Sequence, residues 1–152
     1  MMPQKISGRI VSDRLDWVDK MLAELRDLPL QSKDQFFADH RNVWAAESCL
    51  RRALEALFDL GRHVLAKGFA IGVSEYKEIA QGLREHKVLN AQDANMMRTL
   101  AGYRNRLVHF YHEVSEDELY EICSTQLGDV EHMASALRQW FAENGDRLDD
   151  TL

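Results

Sequence analysis

Residues 39–67 read DHRNVWAAESCLRRALEALFDLGRHVLAK, and the apolar side chains of this stretch recur at steps of three and four residues. They are Val43, Ala46, Leu50, Ala53, Leu54, Leu57, Leu60 and Val64. This period places them on one face of an α-helix, and no proline interrupts the pattern. The stretch therefore predicts one long amphipathic helix, with Gly68 placed as its C-terminal cap.

Two apolar segments precede this helix. The first covers about residues 5–28 and ends at Pro29, because a proline pushes the residue before it out of the helical region. Its helical stripe consists of Ile10, Trp17, Met21, Leu25 and Leu28. Between the two helices, Asp34 is placed to cap a short helical turn that contains Phe36 and Phe37.

Three more helices are predicted after the long one. A short helix covers residues 74–87, and a longer one covers residues 91–111 with Asn90 as its N-terminal cap. Ser115 and Glu118 have the spacing of a capping box, which predicts the start of the last helix.

The predicted fold class follows from these segments. It is all-α, an up-down bundle of four to five helices with short connections. We find no internal repeat or interior linker, so residues 1–152 are expected to form a single domain, with about 145–152 as a polar tail.

The composition limits the classes of function. Hydrophobic residues make up 45% and charged residues 29% of the chain, as in an ordinary soluble globular protein. The formal net charge of −6 argues against a broad basic surface for nucleic acid, because such binding neutralises phosphates with lysine and arginine. It leaves room for a local basic cleft.

The cysteines and the hydropathy pattern predict a cytoplasmic protein. Cys49 and Cys123 are far apart and lie in no metal-binding or redox motif, which is typical of buried free thiols in a reducing compartment. The N-terminus has no apolar signal core, and no apolar run reaches the roughly 18 residues of a membrane span.

The segment YRNRLVHFYH, residues 103–112, carries the chemistry. At about 100° per residue, the apolar residues of this helix share an arc of about 80° that is expected to face the core. These residues are Met96, Leu100, Tyr103, Leu107 and Phe110.

The polar residues of the same segment lie beside that arc. Arg104 and Tyr111 are nearly in line with each other, and Asn105, His109 and His112 cluster further round the helix. A plain wet face would carry more lysine and glutamate, so this arc indicates a surface that contacts a partner or substrate.

An arginine and a histidine at this spacing suit metal-independent cleavage of RNA. The ribose 2′-hydroxyl attacks the adjacent phosphate, and His109 is placed to move the proton, because imidazole is the side chain best suited to proton transfer near neutral pH. The guanidinium of Arg104 stabilises the negative charge that develops on the phosphorus oxygens, and Asn105 is placed to support either group. DNA lacks the 2′-hydroxyl and would be spared.

The segment resembles the HepT-like toxins of the HEPN superfamily. Their motif is Arg, four residues, His, one residue and Tyr, which corresponds to Arg104, His109 and Tyr111. The sequences of residues 104–114 and 59–69 are similar to the family as well. The resemblance covers about residues 5–145.

The resemblance implies a homodimer in which two motif helices face each other across a groove, so that the active site is composite. It also implies a ribonuclease without metal or cofactor, for which tRNA is the family-level substrate. Its partner would be an MntA-like minimal nucleotidyltransferase antitoxin, which transfers AMP to the motif tyrosine, Tyr111. Such a modification would place bulk and negative charge against Arg104.

Plainer interpretations of the motif residues stay open. Arg104 could form a surface ion pair, His109 could be a satisfied core or interface histidine, and Tyr111 could simply pack against the bundle. His109 and His112 form an H-x-x-H that could bind a metal, although no paired carboxylates accompany it. The rival function is a non-catalytic helical dimer that acts as the substrate-binding subunit of a nucleotidyltransferase.

Residues outside the motif yield weaker hypotheses. Asp59 and His63 could form a supporting pair that faces the motif helix, and Arg106 is expected on the solvated side of that helix. A phosphate-binding rim could come from Arg41, Arg51 and Arg52, although such charges usually mark the wet face of a helix. The tryptophans fit core stripes better than base-stacking platforms; they are Trp17, Trp44 and Trp140.

Overall fold

The computed structural model describes residues 2–109 and 114–151, and at His109 only the backbone. Within these ranges the chain forms seven α-helices and no named strand. The helices are α1 (Gly8–Arg26), α2 (Lys33–Phe37), α3 (His40–His63), α4 (Tyr76–Glu85), α5 (Ala91–His109), α6 (Glu116–Thr125) and α7 (Leu127–Glu143). The all-α prediction is confirmed.

The count exceeds the expected four to five helices for two local reasons. The turn around Phe36 is a helix of its own, α2, and its cap is Ser32 rather than Asp34, since the Ser32 hydroxyl accepts the Gln35 N–H at 3.2 Å. The expected last helix is divided at Gln126, whose backbone (φ −113°, ψ 1°) leaves the helical region and separates α6 from α7.

Helix α3 is the centre of the bundle. The Asp39 carboxylate caps its first turn by accepting the Arg41 N–H at 3.0 Å. All eight predicted apolar positions are buried, and α1 packs along the same helix. Burying a leucine stabilises a fold by about 1.5–3 kcal/mol, so the row of leucines on α3 is a principal source of stability.

The end of α3 differs from the prediction. The chain continues into a π-helical turn, Val64–Gly68, in place of a glycine cap. The left-handed backbone conformation falls on Ala70, with φ 57°. Gly68 instead permits close packing, because a Cβ atom there would lie 3.1 Å from Ile6 Cδ1.

The two ends of the chain meet beside this turn. The N–H of Ile6 donates to the carbonyl of Arg147 at 2.8 Å, and the N–H of Asp149 donates to the carbonyl of Ile6 at 2.9 Å. A 3₁₀ turn, Gly145–Arg147, precedes this contact. The residues that the sequence leaves as a polar tail are therefore hydrogen-bonded to the N-terminal segment.

Helix α5 carries the motif and packs against α3 and α4. Its cap is Asn90 as predicted, since the side-chain oxygen accepts the Asp93 N–H at 2.7 Å. The buried stripe is turned from the predicted one: Met97 is fully buried, whereas Met96 and Tyr103 are half-buried. The fully buried residues of the helix are Ala94, Met97, Leu100, Ala101 and Leu107.

This rotation changes the setting of Arg104. That residue follows Met97 by seven positions, which is close to two full turns, so it lies at the inner edge of α5. Its side chain is thus directed toward the neighbouring helix α4.

Two of the three tryptophans are not core residues. Trp17 is 37% exposed and Trp44 is 65% exposed, whereas Trp140 is buried. The prediction of core stripes is wrong for the first two, because each occupies the margin of an amphipathic helix. In the part of the chain that is described, no helix is long and apolar enough to cross a membrane.

Candidate functional site

Arg104 lies near the end of α5 with its guanidinium stacked on an aromatic ring. The guanidinium carbon is 4.0 Å from the centroid of the Tyr76 ring, and Tyr76 is the first residue of α4. The Nε atom of Arg104 is inaccessible to solvent. This contact with Tyr76 sets the Arg104 guanidinium apart from a fully solvated surface arginine.

Tyr76 is itself held in place by the core. It is only 8% exposed, and its ring stacks on Phe58 of α3 with centroids 4.9 Å apart and planes 29° from parallel. Burial raises the pKa of the Tyr76 hydroxyl, although the positive charge of Arg104 acts in the opposite direction. The Tyr76 hydroxyl therefore stays protonated, and the side chain neutral, at physiological pH.

A second arginine approaches the same ring. The guanidinium carbon of Arg62 is 5.4 Å from the Tyr76 centroid. Arg62 donates to the carbonyls of Val73 and Ser74, both at 3.1 Å, and to the Asp59 carboxylate at 3.0 Å. It thereby fixes the connector that leads into α4.

These contacts correct the proposed pair of Asp59 and His63. Asp59 binds Arg62, three residues further along α3, while the Nε2 atom of His63 accepts the Ser7 N–H at 3.0 Å. His63 thus faces the N-terminal segment, and the two residues do not act together toward α5.

A basic cleft of about 660 Å³ surrounds the stacked arginine. Its lining consists of Arg62, Ser74, Glu75, Tyr76, Lys77, Arg104 and Asn105. Arg62, Lys77 and Arg104 are the cations of this lining, Glu75 is its one carboxylate, and Arg62 is also paired with Asp59. The Asn105 side-chain oxygen lies 3.5 Å from an Arg104 nitrogen, so the expected neighbour of Arg104 does belong to the cleft.

The rest of the motif is described only in part. His109 is the last residue of α5, five positions after Arg104, and its side chain lies outside the described part of the structure. Tyr111 and His112 lie outside the described residues altogether, and so does Phe110 of the expected core stripe.

The sequence predicted that Arg106 is solvated, but in the structure it forms an ion pair. Its two terminal nitrogens donate to the two carboxylate oxygens of Glu118, each at 2.6 Å. Both side chains are about one-third exposed. The pair joins α5 to α6 on either side of residues 110–113. Ser115 still caps α6, but the Glu118 carboxylate binds Arg106 rather than completing the capping box.

The other candidate cations do not gather at the cleft. Arg41 pairs with Asp39 at 2.8 Å, and Arg51 pairs with Glu55 at 3.2 Å along α3. Arg52 lines a different groove, of mixed charge, between α1 and α3. Within the described residues, no three histidine, cysteine or acidic side chains are grouped as a metal site.

Sequence reasoning missed Tyr76 and Arg62 as parts of the site. Neither residue was assigned a role from the sequence, because the contacts among Arg62, Tyr76 and Arg104 join segments that are far apart in the chain. The available signal was weak: an aromatic residue in the first turn of α4, followed directly by Lys77.

Together these features define a class of protein. It is an all-helical bundle that presents an arginine, backed by an aromatic ring, in a basic cleft near the end of a helix. Such a cleft suits a phosphate-containing ligand, because a guanidinium binds phosphate oxygens in a planar, bidentate manner.

Residues 18–137 match the family described as Ribonuclease HepT-like, and the chain belongs to that family. The tRNA nuclease HepT of Aphanizomenon flos-aquae (strain 2012/KM1/D3) is 24% identical over 118 residues, which cover 78% of this chain and 80% of that protein. The predicted resemblance to the HepT-like family is confirmed.

Solved structures show the same fold. The tri-AMPylated Shewanella oneidensis HEPN toxin in complex with MNT antitoxin superposes with a TM-score of 0.76 at 17% identity, covering 86% of this chain and 97% of that one. YutE from Bacillus subtilis, a cytosolic protein of unknown function, gives a TM-score of 0.74 at 20% identity, covering 93% and 96%.

Proposed function

We propose that this protein is a metal-independent endoribonuclease toxin whose catalytic groups are Arg104 and His109. The observation that carries the proposal is the stacked guanidinium of Arg104 in a basic cleft, on the helix that ends at His109. Membership of the ribonuclease HepT-like family and the tRNA nuclease among its relatives support RNA as the substrate, and tRNA by family analogy.

The chemistry assigns one role to each group. His109 takes the proton from a ribose 2′-hydroxyl, the 2′-oxygen forms a bond to phosphorus, and the bond to the 5′-oxygen breaks. The departing 5′-oxygen receives a proton from a second histidine, which is His109 of the other subunit in a homodimer. Arg104 stabilises the charge on the phosphorus oxygens, and Asn105 orients the guanidinium or a phosphate oxygen.

The same site provides the means of inhibition. We infer that an MntA-like nucleotidyltransferase antitoxin transfers AMP to Tyr111, as the complex with the AMPylated Shewanella toxin suggests by analogy. Tyr111 is two residues from His109, so an attached nucleotide would bring a phosphate to the position where RNA must bind. Arg104 would then hold the inhibitory phosphate in place of the substrate.

Cleavage of RNA by the purified protein in the presence of a chelator tests the activity. Replacing Arg104 or His109 with alanine should lower kcat by about 100- to 1,000-fold, the usual effect of losing one group that stabilises a transition state. The melting temperature should stay close to that of the parent. Arg98→Ala is the matched control, because Arg98 is an exposed arginine on the same helix and outside the cleft.

Co-expression with the nucleotidyltransferase tests the partner. The intact mass should rise by whole AMP units in the parent and stay unchanged in Tyr111→Phe.

RNA cleavage that persists at parental rate in Arg104→Ala would overturn the catalytic assignment. AMP attachment without any RNA cleavage by the unmodified protein would instead support a non-catalytic substrate-binding subunit.

A further inference from the structure

The guanidinium of Arg104 lies over the ring of Tyr76. At 4.0 Å from the ring centroid, the cation lies well within the roughly 6 Å over which an aromatic quadrupole attracts a positive charge. A guanidinium binds phosphate oxygens through N–H groups that point outward in its own plane. The contact with the ring therefore restricts the orientation of the group that would bind phosphate.

The ring has the rigidity that this task requires. Tyr76 is buried at the first turn of α4 and stacks on Phe58, which is fully buried. Arg62 holds the two carbonyls that precede α4 and lies over the same ring. An arginine side chain has several rotatable bonds, and a fixed aromatic surface removes much of that freedom before substrate binds.

We propose that Tyr76 is the positioning residue for Arg104, and that its aromatic ring rather than its hydroxyl group does this. The inference rests on the proposed function, because it assigns to the ring the orientation of the group that binds the scissile phosphate. Within the described residues the Tyr76 hydroxyl makes no hydrogen bond, whereas three side chains contact the ring.

Steady-state cleavage of RNA by two Tyr76 variants tests the role of the ring. Tyr76→Phe keeps the ring and should retain kcat within about twofold, while Tyr76→Leu should lower kcat by about 5- to 30-fold, the factor that corresponds to one cation–π contact. KM should change much less, because Arg104 acts most strongly in the transition state. Phe37→Leu controls for loss of an aromatic residue, since Phe37 is half-buried and lies outside the cleft.

A second measurement reports the contact without relying on activity. In the parent and in Tyr76→Phe, the Nε–H proton of Arg104 should resonate upfield in NMR spectra because the guanidinium lies over an aromatic ring. In Tyr76→Leu it should return to the position of an ordinary arginine. Its absence from Arg104→Lys identifies the signal, and Tyr76→Met, which keeps the bulk without aromaticity, stands in if the leucine variant does not fold.

The outcomes separate the two proposals. If the parent cuts RNA and the leucine or methionine variant cuts it equally fast, Tyr76 does not position Arg104. An unshifted Arg104 resonance in the parent overturns the inference as well. If the parent cuts no RNA although the resonance is shifted, the proposed ribonuclease function fails, and with it the assigned purpose of the contact.

Discussion

At His63, one imidazole joins the N-terminal segment to the end of α3. Its Nε2 atom accepts the Ser7 N–H at 3.0 Å, which requires that nitrogen to be unprotonated. Burial lowers the pKa of His63 first of all, and the positive charges of Lys67 and Arg14 lower it further, while Asp149 acts in the opposite direction. The folded protein therefore favours the neutral imidazole.

This shift predicts how stability depends on pH. A histidine whose pKa is lower in the folded state contributes stability above its unfolded pKa, near 6.5, and that stability is lost as pH falls through the folded value. We expect the melting temperature to decrease between about pH 7 and pH 5, and part of this decrease to vanish in His63→Gln, whose amide oxygen accepts the same N–H. Identical pH profiles for parent and variant would contradict the prediction.

The same residue shows the limit of reading single residues from a sequence. The spacing of Asp59 and His63 suggests a pair on one helix face, but each finds a nearer partner, Arg62 and Ser7 respectively. The partner of His63 lies in the N-terminal segment, and helical periodicity carries no information about that docking. The sequence grouped Asn105 with His109 and His112, whereas in the structure its side-chain oxygen lies 3.5 Å from a nitrogen of Arg104.

At the scale of helices, the sequence predicted what depends on a regular period. The face of α3 matches the structure residue by residue, since eight apolar positions define it. The predicted buried face of α5 is rotated relative to the observed one, because both Met96 and Met97 are apolar and either can begin an apolar stripe. The π-helical turn Val64–Gly68 was missed, since it depends on contacts with the ends of the chain.

The pair of Arg106 and Glu118 makes a prediction at this scale, because it couples α5 to α6. Its geometry is bidentate with both distances 2.6 Å, yet the side chains are one-third exposed, so water screens the charges. We expect a coupling energy of about 0.5–1 kcal/mol from a double-mutant cycle with Arg106→Gln and Glu118→Gln, measured by urea unfolding.

The matched control is the cycle for Asp39 and Arg41. That pair is exposed and local, with Arg41 83% exposed, so its coupling should be smaller than the coupling between Arg106 and Glu118. Equal coupling energies in the two cycles would show that the contact between α5 and α6 adds no more than a surface ion pair.

For the whole molecule, the charge distribution constrains how the proposed RNA substrate would bind. The chain carries a formal charge of −6, so RNA would be repelled at long range and would have to be held by a local concentration of positive charge. The cleft around Arg104 supplies one, in which Arg62 and Arg104 are bound to the ring and Lys77 is exposed at the start of α4. Composition excluded a broad basic surface, but only the structure brings these three cations together.

Lys77 therefore offers a direct test of where the RNA backbone runs. If its ammonium group contacts one phosphate of single-stranded RNA, Lys77→Gln should reduce the slope of log K against log salt by about 0.7, the contribution of one released counterion. Binding is measured by fluorescence anisotropy in the His109→Ala background, in which cleavage of the probe is expected to be slow. Lys20→Gln is the control, because Lys20 is equally exposed but lies over Trp17 on α1, outside the cleft. A reduced slope for Lys77→Gln alone places the RNA along the start of α4, since loss of a phosphate contact lowers the number of counterions released. Equal slopes for the two variants would mean that the RNA backbone does not contact Lys77.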